Sequence, residues 1–93
     1  MSVIDVTRYH SLNLAEARQA AEALAEDLSK EFHVHYEWQG ERMRFHRTGV
    51  KGQLDITSDA IRVHMELGFL LRPFRGRIEQ EIHSQLDQLI GHA

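Results

Sequence analysis

One stretch decides the fold: residues 33–67, which read HVHYEWQGERMRFHRTGVKGQLDITSDAIRVHMEL. Apolar and polar residues alternate along four segments of it, as they do in strands that bury one face. We predict strands at His33–Gln39, Arg42–Arg47, Val50–Thr57 and Ile61–Leu67. Between them lie three two-residue connections typical of tight hairpin turns, namely Gly40-Glu41, Thr48-Gly49 and Ser58-Asp59.

Turns of this length determine which residues face each other across neighbouring strands. Trp38 is then placed opposite Met43, Met43 opposite Leu54, and Leu54 opposite Val63. The same register pairs residues of opposite charge, namely Glu37–Arg44, Arg42–Asp55 and Asp55–Arg62. A slip of one residue would turn a whole face over, so this agreement is informative. We therefore predict an antiparallel meander with an apolar inner face and a polar outer face.

Two helices flank the meander. Leu14–Phe32 is predicted to be helical, with Asn13 as the N-cap and Glu16 placed to complete a capping box. Pro73–Ile90 is predicted to be the second helix, which ends at Gly91. Each carries an apolar stripe at helical spacing. The two stripes are Leu14, Ala17, Ala21, Leu24, Leu28 and Phe32, and Phe74, Ile78, Ile82, Leu86, Leu89 and Ile90.

A further strand is predicted at Ser2–His10, so the order of elements is βαββββα and the fold class is α+β. We expect one domain, residues 1–93, with both helices covering the apolar face of the sheet in a reduced helix-grip-like arrangement. The first strand most simply joins the Ile61–Leu67 edge, which gives the order 1-5-4-3-2. The alternative places it parallel to His33–Gln39.

Composition excludes several classes of protein. The chain has 93 residues, 42% of them apolar and 27% charged, which is typical of a globular domain. A net charge of −3 argues against a general nucleic-acid binder, and the absence of cysteine excludes disulfides and thiolate chemistry. The N-terminus resembles no signal peptide, and the longest apolar run, Phe69–Leu71, cannot span a bilayer. We expect a cytoplasmic protein.

Seven histidines invite a metal interpretation. On the predicted register His35 lies opposite His46 on the outer face, and Lys51 and Glu66 continue that row. A zinc site needs three or four converging ligands, and a neighbouring ammonium group disfavours a bound cation. We therefore expect no metal site and no cofactor. The scattered histidines are expected at the surface, namely His10, His33, His83 and His92.

No pattern typical of an enzyme is present. The acidic residues are predicted mainly on exposed helix faces or on the solvent-exposed sheet face, and no nucleophile elbow or phosphate-binding glycine pattern occurs.

The charges of the outer sheet face have two interpretations. They form either cross-strand ion pairs that hold the register, which is the simpler interpretation, or a docking surface for a charged partner.

The most unusual segment joins the last strand to the last helix. It carries a candidate apolar contact surface, which consists of Phe69, Leu70, Leu71 and Phe74. Beside it lies a candidate basic rim, which consists of Arg72, Arg75 and Arg77. These apolar residues either plug the end of the core or form an exposed surface for a hydrophobic partner, and the sequence leaves both interpretations open. Gly68 before them is expected to serve a bend or a close approach.

Three segments carry a family resemblance: HSLNLAEAR at residues 10–18, ELGFLL at 66–71 and GRIEQEI at 76–82. With the chain length and the Trp38 hairpin, they resemble the small polyhydroxyalkanoic acid system proteins. These are bacterial proteins encoded near genes for polyester storage granules. The resemblance implies a connection with granules and no catalytic residues.

Three functional hypotheses follow. The first is a non-enzymatic accessory protein that contacts the polyester granule surface or a granule protein. The second is a carrier of small apolar ligands, with a cavity between sheet and helix. The third is a protein–protein interaction module that uses the outer sheet face or the His33–Gln39 edge, and a homodimer belongs to this hypothesis.

Overall fold

A computed structural model describes residues 2–90 of the chain. The elements follow the predicted order, with a short 3₁₀ helix added before the last α-helix. They are β1 (Ser2–Tyr9), α1 (Leu14–Phe32), β2 (His35–Gln39), β3 (Arg42–Arg47), β4 (Val50–Ile56), β5 (Ala60–Leu67), the 3₁₀ helix (Phe69–Phe74) and α2 (Arg75–Ile90). The stop predicted at Gly91 lies outside the described residues.

The sheet is antiparallel throughout, in the order β1-β5-β4-β3-β2. This confirms the favoured topology, and the alternative of β1 parallel to β2 is wrong. The register is confirmed as well, with Trp38 opposite Met43, Met43 opposite Leu54, and Leu54 opposite Val63. Alternation and turn length were therefore sufficient to place every strand of the meander.

Glycine has a specific role at three positions in the meander. The turn residues Gly40 and Gly49 have positive φ angles of 65° and 86°, which other residues adopt only with strain. Gly52 is needed for space, because a Cβ atom there would lie 2.8 Å from Met65 Cγ and 3.0 Å from the His64 carbonyl oxygen.

Both helices pack on the inner face of the sheet and enclose one apolar core. Helix α1 begins with the predicted capping box, in which the Glu16 backbone N–H donates to Asn13 Oδ1 (2.8 Å) and the Asn13 N–H donates to Glu16 Oε1 (3.1 Å). Leu14 was assigned to the buried stripe, but it is half exposed, because the small buried face of α1 is built largely from alanines. The largest fully buried side chains include Leu24, Leu28, Met43, Phe45, Leu54, Met65, Ile82 and Leu86.

Five predicted boundaries differ from the structure; the end of β1, the end of β4 and the start of β5 differ by one residue, and the starts of β2 and α2 differ by two. His33 does not start β2; it caps the C-terminus of α1 in the left-handed conformation (φ 58°) and donates its N–H to the Ser29 carbonyl. Pro73 does not start α2, because it lies inside the 3₁₀ helix and α2 begins at Arg75. In both cases the chain needs extra residues to change direction at a helix end.

Candidate functional site

The 3₁₀ helix places large apolar side chains in solvent. Phe69 is 84% exposed, Leu70 71% and Phe74 43%, and we call these three residues the lip. The helix is anchored at its start by Gly68, whose N–H donates to the Gly49 carbonyl (2.8 Å), and by Leu71, whose N–H donates to the Gly68 carbonyl (3.2 Å). The lip therefore sits on a backbone that is fixed to the β3–β4 turn.

Leu71 differs from its neighbours. It was expected to share their environment, but it is only partly exposed and packs against the core. A 3₁₀ helix has three residues per turn, so only one of three consecutive side chains can face inward. Each sequence interpretation is therefore right for part of the segment: Leu71 plugs the core, whereas Phe69 and Leu70 are exposed.

Gly68 does not require glycine for its conformation. Its φ of −74° and ψ of −179° describe extended backbone that any residue adopts. An added Cβ atom would lie 3.5 Å from Gly49, which is ordinary van der Waals contact. The expected close approach is present, but it leaves room for a side chain.

Of the three arginines of the basic rim, Arg75 and Arg77 contact other described residues through hydrogen bonds or ion pairs, and Arg72 does not. Arg75 donates to the Val3 carbonyl (3.2 and 3.1 Å) and pairs with Glu79, so it fastens α2 to β1. Arg77 pairs with Glu31 (3.6 Å) and lies over the Phe32 ring. Among residues 2–90, Arg72 contacts no side chain or carbonyl by hydrogen bond or ion pair, so its donors remain available beside the lip.

The outer sheet face carries the predicted polar row. The rings of His35 and His46 are 5.5 Å apart, on the expected cross-strand positions. In the part of the chain that the structure describes, no group of three or more histidine and acidic side chains could hold a metal ion.

Ion pairs hold other parts of this face, but some partners differ from those predicted. Arg42 pairs with Asp55 as expected (2.6 Å), whereas Arg62 makes a two-pronged contact with Asp5 (3.1 and 2.8 Å) instead of pairing with Asp55. The hydrogen bond from Arg62 is the main reason that the pKa of Asp5 is lowered. Arg44 donates to Gln39 and not to Glu37, its residue directly opposite. Long arginine side chains reach diagonal neighbours, so Cα register alone does not determine their partners.

Some acidic residues assigned to exposed helix faces are engaged instead. Glu22 of α1 accepts hydrogen bonds from Tyr36 Oη (2.6 Å) and Trp38 Nε1 (2.7 Å), and Arg18 stacks on the Trp38 ring at 4.1 Å. These bonds, the one from Trp38 first, lower the pKa of Glu22, and the bond to Glu22 raises the pKa of Tyr36 to about 12. A buried tyrosine or tryptophan needs a polar partner, and this requirement was the signal available in the sequence.

A second engaged acid lies between the helices. Burial, and then the neighbouring Glu81 and Glu31 carboxylates, raise the pKa of Asp27 to about 6. Asp27 Oδ2 is buried and accepts no hydrogen bond from the described residues. Near the other end of α2, Arg8 of β1 contacts Asp87 and His83, so His83 is not the free surface residue that was expected. His92 lies outside the described residues.

The space between the C-terminal helix α2 and the sheet is filled. Ile82 and Leu86 from the helix and Ile4 and Val63 from the sheet have no exposed surface. A small apolar ligand of the kind considered in the carrier hypothesis would have to displace these side chains to enter there.

No curated protein matches the chain. No helix within residues 2–90 combines the length and the apolar character that crossing a membrane requires. Residues 4–90 match the model of one protein family, whose description reads "Putative polyhydroxyalkanoic acid system protein". Because this match covers nearly the whole chain, the protein belongs to the polyhydroxyalkanoic acid system family.

Proposed function

We propose that the protein is a non-enzymatic accessory protein of polyhydroxyalkanoate storage, which binds the polyester surface of cytoplasmic granules through its lip. The observation that carries this proposal is the exposure of Phe69 and Leu70 on a fixed backbone at one end of the molecule. Family membership supplies the polyester as the surface to be considered.

The shape and chemistry of the lip suit a broad surface better than a narrow ligand. Phe69 and Leu70 project outward, so they can lie against a flat apolar phase. A polyester also presents ester carbonyl oxygens, which accept hydrogen bonds and have no donors of their own. The guanidinium group of Arg72, which pairs with no group in residues 2–90, offers up to five N–H donors beside the lip.

The expected strength follows from the exposed area. The three lip side chains expose on the order of 300 Å² in total, given that an aromatic side chain can bury roughly 150–250 Å². Covering half of that area at about 25 cal/mol per Å² contributes roughly 4 kcal/mol, before the cost of immobilising the protein. That gross energy corresponds to only about millimolar affinity for one molecule, so we expect weak, reversible adsorption.

Sedimentation with purified, protein-free polyester granules tests the proposal. Wild type is expected in the pellet at high granule surface area, and Phe69→Ser/Leu70→Ser is expected to lose about tenfold in the bound fraction. The matched control is Tyr9→Ser/Leu14→Ser, which removes exposed side chains at the opposite end of β1 and at the start of α1 and is expected to bind like wild type.

Two further measurements identify the kind of surface. Arg72→Gln is expected to weaken binding less than the lip variant, with little dependence on salt, because ester carbonyls carry no net charge. Anionic phospholipid vesicles are expected to bind less protein than polyester. The proposal fails if wild type stays in the supernatant, if the lip and control variants bind alike, or if only the vesicles capture the protein.

A further inference from the structure

A surface hollow of about 390 Å³ lies on the outer sheet face, next to the start of the 3₁₀ helix. Its origin is a pair of glycines. Gly49 directly precedes β4 and Gly68 directly follows β5, and both line the hollow, where they are joined by the hydrogen bond from the Gly68 N–H to the Gly49 carbonyl. Because neither residue has a side chain, backbone atoms form the wall of the hollow at this point.

Of the polar side chains that line the hollow, Arg47 donates to the Phe32 carbonyl (2.5 Å), and three others have no hydrogen-bond or ion-pair partner among the side chains and carbonyls of the described residues. His46, Lys51 and Glu66 stand side by side on β3, β4 and β5, in the row next to the glycines. Among residues 2–90, none of the three makes a hydrogen bond or an ion pair, although Lys51 and Glu66 lie directly opposite each other. Elsewhere on the same face, Asp5, Arg42, Asp55 and Arg62 are all paired.

We infer that this hollow binds a short-chain aliphatic hydroxy acid. The ammonium group of Lys51 and a ring N–H of His46 can hold a carboxylate. Glu66, when ionised, only accepts hydrogen bonds, so a bound molecule that covers it must offer a donor, and a hydroxyl group supplies one. The glycine backbone leaves room for the alkyl chain.

Size and charge exclude larger or more highly charged ligands. Small-molecule sites usually occupy roughly 300–1,000 Å³, so this hollow is near the lower limit and suits a ligand of only a few carbon atoms. Glu66 repels a single carboxylate less than it repels a phosphate dianion, and Lys51 together with Arg47, which also lines the hollow, supplies the positive charge that offsets Glu66. The site is separate from the lip, and its support does not depend on granule binding.

The two lysines of the chain provide an internal control for the binding test. Labelled methyl groups placed on the lysines keep the positive charge and report on each side chain by NMR. With β-hydroxyhexanoate as the probe, the Lys51 signal is expected to shift with a Kd on the order of 1 mM, while the signal of Lys30 on α1 stays unchanged. Hexanoate and the methyl ester of β-hydroxyhexanoate are each expected to bind about tenfold more weakly.

Variants test the hollow and its rim separately, with backbone amide signals as the readout. Gly68→Val places a branched side chain at the wall of the hollow without backbone strain and is expected to weaken binding about tenfold or more. Lys51→Gln is expected to weaken binding about tenfold, with Lys30→Gln as the matched control that binds like wild type. Glu66→Gln is expected to reduce the preference for the hydroxy acid over hexanoate.

The inference is overturned if Gly68→Val, folded as judged by its thermal transition, binds the probe like wild type. It is also overturned if the probe shifts Lys30 as much as Lys51, or if hexanoate and the ester bind as tightly as the hydroxy acid. Phe69→Ser/Leu70→Ser is expected to retain hydroxy-acid binding, and Gly68→Val is expected to retain sedimentation with granules. The two proposals can therefore fail independently.

Discussion

The two α-helices differ in the charges that lie in their first and last turns. Helix α1 has Glu16 in its first turn and Lys30 in its last, which complements the helix dipole, and both ends are capped. Helix α2 has Arg75 and Arg77 in its first turn with no acidic residue there, and no basic residue in its last turn. A first turn with this charge pattern gains nothing from the dipole.

The difference indicates that the two ends of the molecule serve different purposes. At the start of α1 and in its contacts with the β2–β3 hairpin, hydrogen-bond donors and acceptors pair with one another. For example, Tyr36 and Trp38 both donate to Glu22, and we call these three residues the Glu22 cluster. The start of α2 instead brings arginines next to the lip. The first region therefore contributes stability, whereas in the second region Arg75 and Arg77 hold α2 in place and the lip side chains stay in solvent.

The largest expected effect comes from breaking the stable region. Glu22→Ala leaves Tyr36 Oη and Trp38 Nε1 without their shared acceptor and removes the charge that Arg18 faces. Hydrogen bonds to a charged group are worth about 1.5–3 kcal/mol each when buried, and here they are partly exposed. We expect a loss of about 2–3 kcal/mol in the free energy of unfolding, measured by urea denaturation with Trp38 fluorescence.

Glu26→Ala is the matched control, because Glu26 lies one turn further along α1 and is exposed. Its effect is expected to stay within about 0.5 kcal/mol. Equal effects of the two substitutions would show that the Glu22 cluster adds nothing to stability, and the contrast between the two regions would then lose its basis.

Much of the fold was predictable from sequence because its signals are local. Alternation, glycine in tight turns and the Asn13–Glu16 cap each act over a few residues, and together they give the strand order and the register. The ends of elements were less predictable. His33 has no glycine-like signal for its left-handed cap, and Pro73, a residue typical of the first helical position, lies instead inside the 3₁₀ helix, two residues before α2 begins.

From the sequence, the candidate site could be located to a segment, but the role of each residue in that segment could not be predicted. Three consecutive apolar residues, Phe69, Leu70 and Leu71, carry no periodicity from which the inward one could be chosen, since that choice depends on the 3₁₀ geometry. The engagement of Glu22 and Asp27 was missed because it depends on how α1 lies against β2 and α2. The glycine-lined hollow was missed because Gly49 and Gly68 are distant in sequence and meet only in the sheet.

A smaller effect is expected at the contact between the two helices. The pKa of Asp27 is about 6 in the folded protein and 3.8 for the isolated side chain. The native state therefore holds this proton more tightly than the unfolded state, so the contribution of Asp27 to stability falls as pH rises from about 4 to 6. Because the carboxyl group is partly exposed, the loss is on the order of 1–2 kcal/mol.

Asp27→Asn removes this titration while keeping the shape of the side chain. The variant is expected to be more stable than wild type at pH 8 by the same order of 1–2 kcal/mol, and about equally stable at pH 4. Urea denaturation at several pH values measures the difference, and Glu37→Gln on the exposed sheet face serves as the control. A constant difference between Asp27→Asn and wild type across this range would contradict the raised pKa.

The smallest expected effect is at Leu70. Comparing it with the adjacent Leu71 tests most directly which side chains of this segment belong to the core and which to the lip. Leu70 is 71% exposed, whereas Leu71 packs against the core. Leu70→Ser is expected to change the free energy of unfolding by less than about 0.5 kcal/mol, and Leu71→Ser to lower it by about 1–2 kcal/mol, since full burial of a leucine is worth about 1.5–3 kcal/mol. Thermal and urea unfolding of both variants measure the two values. If Leu70→Ser proved as costly as Leu71→Ser, Leu70 would be part of the core in solution, and the lip would be reduced to its two phenylalanines. A neutral Leu70→Ser that also weakens sedimentation with granules would mean that this side chain is kept in solvent for binding, because it contributes nothing to folding.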